Sequence, residues 1–395
     1  MSKSITRASA DLLRLENEGY ELEIRGGYLL VHSVPYVTPE RVVASGTLVS
    51  TLQLAGEVTA RPDQHEAHFI GAAPCDARGN RLESIINNSD PQQLAESLRV
   101  DHYLSSKPID TGRYEDYWQK MTSYITIISA PAQAIDPTAT ARTYPVLIPD
   151  PEEEDPIFNY TETASSRAGI LAVTEKLRVG PVAIIGLGGT GAYILDFLAK
   201  TPVAEIHLFD GDRFSQHNAF RAPGAPTLEE LRAEPQKVEH LKAHYSPMRR
   251  GIVAHDVFVE EGNVAELEGM DFVFLALDES EPKRCIVTYL EQAGIGFIDV
   301  GMGVDEVDGA LRGMVQTTLS TPTARDHLRR RVSLEDPRLG GDYDQNIQIA
   351  ELNALNAAIA VIRWKRLLGF YADDGGEHSS FFVIETNQLL GEDRR

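Results

Sequence analysis

Apolar positions along this chain keep two different rhythms. Residues 1–20 space them as a helix does, with polar residues between, and predict one amphipathic helix. From Glu21 to about Gly79 the spacing shortens to the alternation of strands. "YELEIRGGYLLVHSVPYV" sets a Gly-Gly pair between two alternating runs, a hairpin signature, and "GTLVSTLQLA" predicts a further strand. "DYWQKMTSYITIISAPAQA" mixes both patterns and is assigned to neither. Residues 148–166, "IPDPEEEDPIFNYTETASS", are rich in proline and acid and have little periodicity. Read as a linker, they separate an α+β domain over 1–147 from a second domain over 167–395.

Beyond the linker, short apolar runs alternate with helical stretches. "GPVAIIGLGG", "AEIHLFDGD", "GIVAHDVFV", "MDFVFLALD" and "IGFIDVGMG" read as strands; "EPQKVEHLKAHYSPM" and "EPKRCIVTYLEQAG" read as helices between them. Runs this apolar suit strands covered on both faces, so the expected fold is α/β, a Rossmann-like, mostly parallel sheet with helices on both sides. "LRGMVQTTLST" adds a later strand in a mixed part of the sheet. "NIQIAELNALNAAIAVIRWKRLLGFY" predicts a long helix ending near Gly369, with Leu352, Leu355, Ile359 and Ile362 on one face.

Composition narrows the function. The formal net charge of −22 argues against general nucleic-acid binding, which needs Lys and Arg. No stretch reaches the ~20 continuous apolar residues of a membrane helix, and the first 20 residues lack a secretory pattern. Two cysteines, Cys75 and Cys285, make neither a disulfide framework nor a cysteine-rich zinc site, which points to the cytoplasm. His65 and His68 with Cys75 fall short of a full ligand set for a metal.

"VAIIGLGGTGAYILDFLAK" carries the chemistry. Gly186, Gly188, Gly189 and Gly191 form G-x-G-G-x-G between a strand and a helix. Such a turn admits phosphate close to the backbone at a helix N-terminus. Alone it does not choose between a dinucleotide and ATP, and Asp210 sits where an NAD enzyme keeps its ribose acid. The following segment chooses. Asp210 and Asp212 are succeeded by Asn218, Arg221 and Lys237, cations that suit a triphosphate. Asp278 ends a later strand on the same sheet edge, where one carboxylate suits Mg²⁺.

Those elements, in that order, resemble the E1-like adenylyltransferases over roughly residues 165–320. The family includes the activators of molybdopterin and thiamine biosynthesis and the ubiquitin-activating enzymes. The resemblance implies that the four glycines line ATP, Asp210 or Asp212 holds the ribose, and Asn218, Arg221 and Lys237 contact phosphates. Asp278 would hold Mg²⁺. Arg167 would reach a partner subunit's ATP site in a homodimer. The reaction implied is adenylation of the C-terminal glycine carboxylate of a ubiquitin-like protein, with an E2-like carrier next in line. The first 150 residues resemble an uncharacterised domain fused to such proteins in bacterial ubiquitin-like gene clusters, with antiviral defence as one setting; docking of a protein partner is its expected role.

The sequence departs from the family in one respect. No cysteine lies at the usual E1 position, where "QTTLSTPTARDHLRRRV" stands. The acyl acceptor is left open among Cys75, Cys285, a hydroxyl from Thr317, Thr318, Ser320, Thr321 or Thr323, and no residue of this chain. An NAD-dependent oxidoreductase, an E1-fold enzyme of sulfur transfer or tRNA modification, and a non-catalytic scaffold are the alternatives.

Overall fold

The computed structural model describes residues 2–149, 156–277, 280–332 and 347–394. The chain divides into two units, 1–154 with 160–169 and 155–159 with 170–395. Part of the stretch read as a linker is thereby shared out. Asn159 N–H donates to the Met248 carbonyl in the second unit, and Thr161 N–H to the Leu147 carbonyl in the first.

In the first unit an antiparallel sheet carries a helix. The Gly-Gly hairpin forms as its pattern requires: Leu22–Arg25 pairs with Tyr28–Val37, ending at Arg25↔Tyr28. Gly26 and Gly27 take φ of 57° and 83°, the left-handed pair of a tight hairpin turn. Val43–Thr51, Glu66–Ile70, His102–Ser105 and Ile86–Asn88 complete the sheet. Two expectations change. The first 20 residues form two helices, Ser2–Ala8 and Ala10–Asn17, because Ser9 is extended (φ −101°, ψ 114°). The mixed stretch is a helix, Tyr117–Ile135, whose first turn is capped by the Asp116 carboxylate accepting from Gln119 N–H at 2.7 Å. Tyr117, Met121, Tyr124 and Ile128 face the core at helical spacing. The interleaved Thr, Ile and Tyr have low helix propensity, and tertiary packing overrides it.

The second unit is the expected α/β sheet. Counted along the unit, its strands are Val182–Ile185, Ile206–Phe209, Ile252–His255, Phe272–Leu275, Gly296–Val307, Ala310–Ser320, Glu377–Val383 and Gln388–Arg394. They lie in the order 3-2-1-4-5-6-7-8, the first five parallel and the rest antiparallel. Side chains alternate across each strand. Ala183, Ile185, Val273 and Leu275 pack with Ile286 and Leu290 of helix Ser280–Ala293. Val182, Ile184, Leu208 and Phe274 pack on the opposite face, with helices Gly189–Ala199, Lys237–Tyr245 and Ala350–Leu367.

Two features of this unit differ from the sequence reading. The fifth strand runs four residues past Gly303 and turns back at Asp308 and Gly309, both at positive φ, into a long hairpin with the sixth. Helix Ala350–Leu367 does end before Gly369, but its buried face is wider and more polar than the apolar spacing alone predicts. Leu352, Asn353, Asn356, Ala357, Ala360, Val361, Arg363 and Trp364 are buried, while Ile362 is 42% exposed. Leu355 and Ile359 pack beside that face, with Val304 and Val315 of the hairpin. Leu352 is buried in that cluster, so of the four residues expected on one face only Ile362 is exposed.

Candidate active site

Between the first and fourth strands the chain order reverses, and in open α/β sheets the crevice at such a point takes the ligand. A cavity of about 310 Å³ opens there. The glycine turn forms one wall. Gly186 has φ 86°, and a Cβ on it would stand 2.4 Å from the Ala276 carbonyl oxygen. A Cβ on Gly191 would stand 1.9 Å from the Gly186 carbonyl oxygen, so only glycine lets the helix start against the strand. Gly188, Gly189 and Thr190 line the cavity.

Asp210, at the end of the second strand, is buried and fully engaged. One carboxylate oxygen accepts from Leu187 N–H in the glycine turn at 2.7 Å, the other from Asp212 N–H at 2.9 Å. Lys237 Nζ lies 3.3 Å from Asp210 and 2.6 Å from Asp212. Asp210 and Lys237 are each less than a tenth exposed, whereas the Asp212 side chain is 56% exposed. Lys237 also donates its backbone N–H to the Asp212 carbonyl at 2.9 Å. Two acids and a lysine thus brace the turn, and Asp212 is the acid open to a ligand. Arg221 lines the same cavity, and its Nε is buried without a hydrogen-bond partner. Asn218 does not line it. Its Oδ1 accepts from Ser215 N–H at 2.9 Å, capping the short helix Gln216–Ala219, and its Nδ2 is buried without a partner.

Other cavity residues escaped the sequence reading. Phe258 and Val259, beyond the third strand, give an apolar wall beside Phe209. Asn353 and Asn356 close the far side. Thr190 Oγ1 donates to Asn353 Oδ1 at 3.0 Å, and Asn356 Nδ2 donates to the Gly301 carbonyl at 2.9 Å. A buried ion pair, Lys283–Asp299 at 2.9 Å, ties helix Ser280–Ala293 to the fifth strand beside Pro282 and Val300 of the lining. The signal for the asparagines and the Lys283–Asp299 pair was polar residues inside apolar periods, at i, i+3 for the asparagines. A search for core positions discounts such residues.

A family model described as the ThiF family matches residues 162–374, more than half of the chain. The chain belongs to the ThiF family. A second model, a domain of unknown function called DUF6791, matches residues 10–163. Among curated proteins the chain is similar to ubiquitin-like modifier-activating enzyme 5 of Rattus norvegicus, 25% identical over 164 residues, covering 38% of this chain and 40% of that protein. It is also similar to the tRNA threonylcarbamoyladenosine dehydratase of Haemophilus influenzae, 26% identical over 161 residues, covering 40% and 59%. The match thus spans about two fifths of the length of the modifier-activating relatives. A solved structure of E. coli MccB with ATP aligns at TM-score 0.45 and 15% identity, over 57% of this chain and 66% of that one.

The other described candidates from the sequence do not line the ThiF unit's cavity. Arg167 is exposed in the first unit, its guanidinium 5.4 Å from the centre of the Tyr144 ring. Asp278 lies outside the described residues. Cys75 is fully buried and its Sγ–H donates to the Ala73 carbonyl; Cys285 is half-buried in its helix. Burial pushes both thiols above their ordinary pKa, the reverse of a nucleophile's need. Thr317, Thr318 and Ser320 have no exposed surface, so these hydroxyls cannot meet a protein C-terminus in this conformation. Among the described residues no group of His, Cys, Asp and Glu is arranged to hold a metal, and no helix is long and apolar enough to cross a membrane.

Proposed function

We propose that the ThiF unit binds ATP in this cavity and adenylates a carboxylate. The observation that carries the reading is the meeting of Arg221 and Lys237 with the glycine turn. A dinucleotide site needs one ribose acid; here two cations stand by the turn, and Arg221 keeps a buried donor unspent. The apolar wall of Phe258 and Val259 suits a base, and the exposed Asp212 suits the ribose hydroxyls. An incoming carboxylate oxygen forms a bond to the α-phosphorus. The bond from that phosphorus to its bridging oxygen breaks, and pyrophosphate leaves with the electron pair. A carboxylate is already ionised at neutral pH, so positioning and charge neutralisation carry the rate. Mg²⁺ would neutralise phosphate charge. Asp278 is the ligand expected to hold the ion, and Asp212, an exposed oxygen donor on the cavity, fits a hard cation that takes one or two carboxylates.

The substrate we favour is a ubiquitin-like protein ending in glycine, in keeping with the names of the modifier-activating relatives. The acyl group then passes to a separate carrier, since both thiols are buried or half-buried. The arrangement extends to a homodimer in the cytoplasm, with Arg167 offered to the second copy and the first unit docking a protein partner. The dehydratase relative supports a second substrate, a modified tRNA nucleoside, which the charge of −22 disfavours. Titration with ATP and with NAD, each with Mg²⁺, tests the ligand. ATP binding without NAD binding is expected; NAD binding without ATP binding would overturn the reading.

A further inference from the structure

One buried amide joins the two walls that would grip the nucleotide. Asn353 is 1% exposed, on helix Ala350–Leu367. Its Nδ2 donates to the Arg221 backbone carbonyl at 3.3 Å, and its Oδ1 accepts from Thr190 Oγ1 at 3.0 Å. A carbonyl can only accept, so the amide orientation follows: nitrogen toward Arg221, oxygen toward Thr190, whose hydroxyl must donate. The amide also rests on the glycine turn. A Cβ on Gly189 would stand 1.9 Å from Nδ2, so that glycine is what admits the asparagine. Asn356, one turn on, is buried too, but its amide is used on Thr317 and the Gly301 carbonyl, away from the glycine turn and the Arg221 segment. An unpaired buried amide would be costly, and both ends of this one are used on cavity walls.

We propose that Asn353 is a positioning residue: it fixes the spacing between the glycine turn and the Arg221 segment, so that phosphates are held from both sides at once. The inference rests on the nucleotide reading of the cavity. Its test uses the full chain and two readouts, ATP affinity with Mg²⁺ and amide hydrogen exchange over residues 186–192 and 218–222. Asn353→Leu keeps the branched side-chain skeleton, with bulkier methyl ends, and removes both hydrogen bonds; Thr190→Val removes one, and Thr190→Ser keeps it. Asn353→Leu should weaken ATP binding roughly tenfold, the scale of one to two lost hydrogen bonds, and speed exchange in both segments. Thr190→Ser should keep the native exchange in both segments that Thr190→Val loses, and adding Thr190→Val to Asn353→Leu should speed that exchange no further. Native affinity and native exchange in Asn353→Leu would overturn the proposal, as would exchange that rises equally along the whole helix. A native chain without ATP affinity would sink the nucleotide reading, and the exchange of the two segments would still decide the role of Asn353.

Discussion

At the scale of single residues, Lys237 has two duties. It pairs with two carboxylates in the folded chain and lines the cavity. Lys237→Met leaves Asp210 buried and uncompensated, so we expect a loss of about 3 kcal/mol of stability by denaturant unfolding. ATP affinity should fall with it. Asp212→Asn, at an exposed site, should leave stability nearly unchanged. The glycines, both aspartates, Arg221 and Lys237 were legible in the sequence because each sits at a fixed offset from an apolar strand. Asn353 and the Lys283–Asp299 pair were not. Their partners lie far along the chain (Thr190 and Asn353 are 163 residues apart), and no local spacing announces such contacts.

At the scale of elements, strand periods and turn signals were the most readable. Gly26-Gly27 set the first hairpin, and the strand–helix alternation gave the parallel sheet. Helices were read less well where side-chain type and period disagreed. Helix Tyr117–Ile135 is rich in residues that favour strands, and helix Ala350–Leu367 buries polar Asn353, Asn356 and Arg363 while leaving Ile362 exposed. The cap is what starts the former. Asp116→Ala should therefore lower the stability of the first unit by about 1 kcal/mol, read from thermal unfolding, without altering nucleotide binding.

At the scale of the whole molecule, two units with separate cores respond to different conditions. Lys120 is fully buried in the first, with Nζ donating to the Gln64 carbonyl at 3.0 Å. Burial lowers its pKa from 10.5 to about 8, against the opposing pull of Glu66 and Asp63. The unfolded chain then holds more protons between those two values, so stability should rise as pH climbs from about 8 toward 10.5. Lys120→Met should remove that rise in melting temperature. The chemistry assigned to the second unit needs neither thiol. Replacing both Cys75 and Cys285 with Ser should leave pyrophosphate exchange intact, and loss of exchange in a folded variant would give a cysteine a part in adenylation.

The most direct measurement is exchange of labelled pyrophosphate into ATP by the full chain, with Mg²⁺ and ubiquitin-like proteins ending in glycine. Exchange should require ATP, a free C-terminal glycine carboxylate on the added protein, and Lys237. A folded chain that shows no exchange with any such protein, yet binds NAD and transfers hydride, would contradict the account.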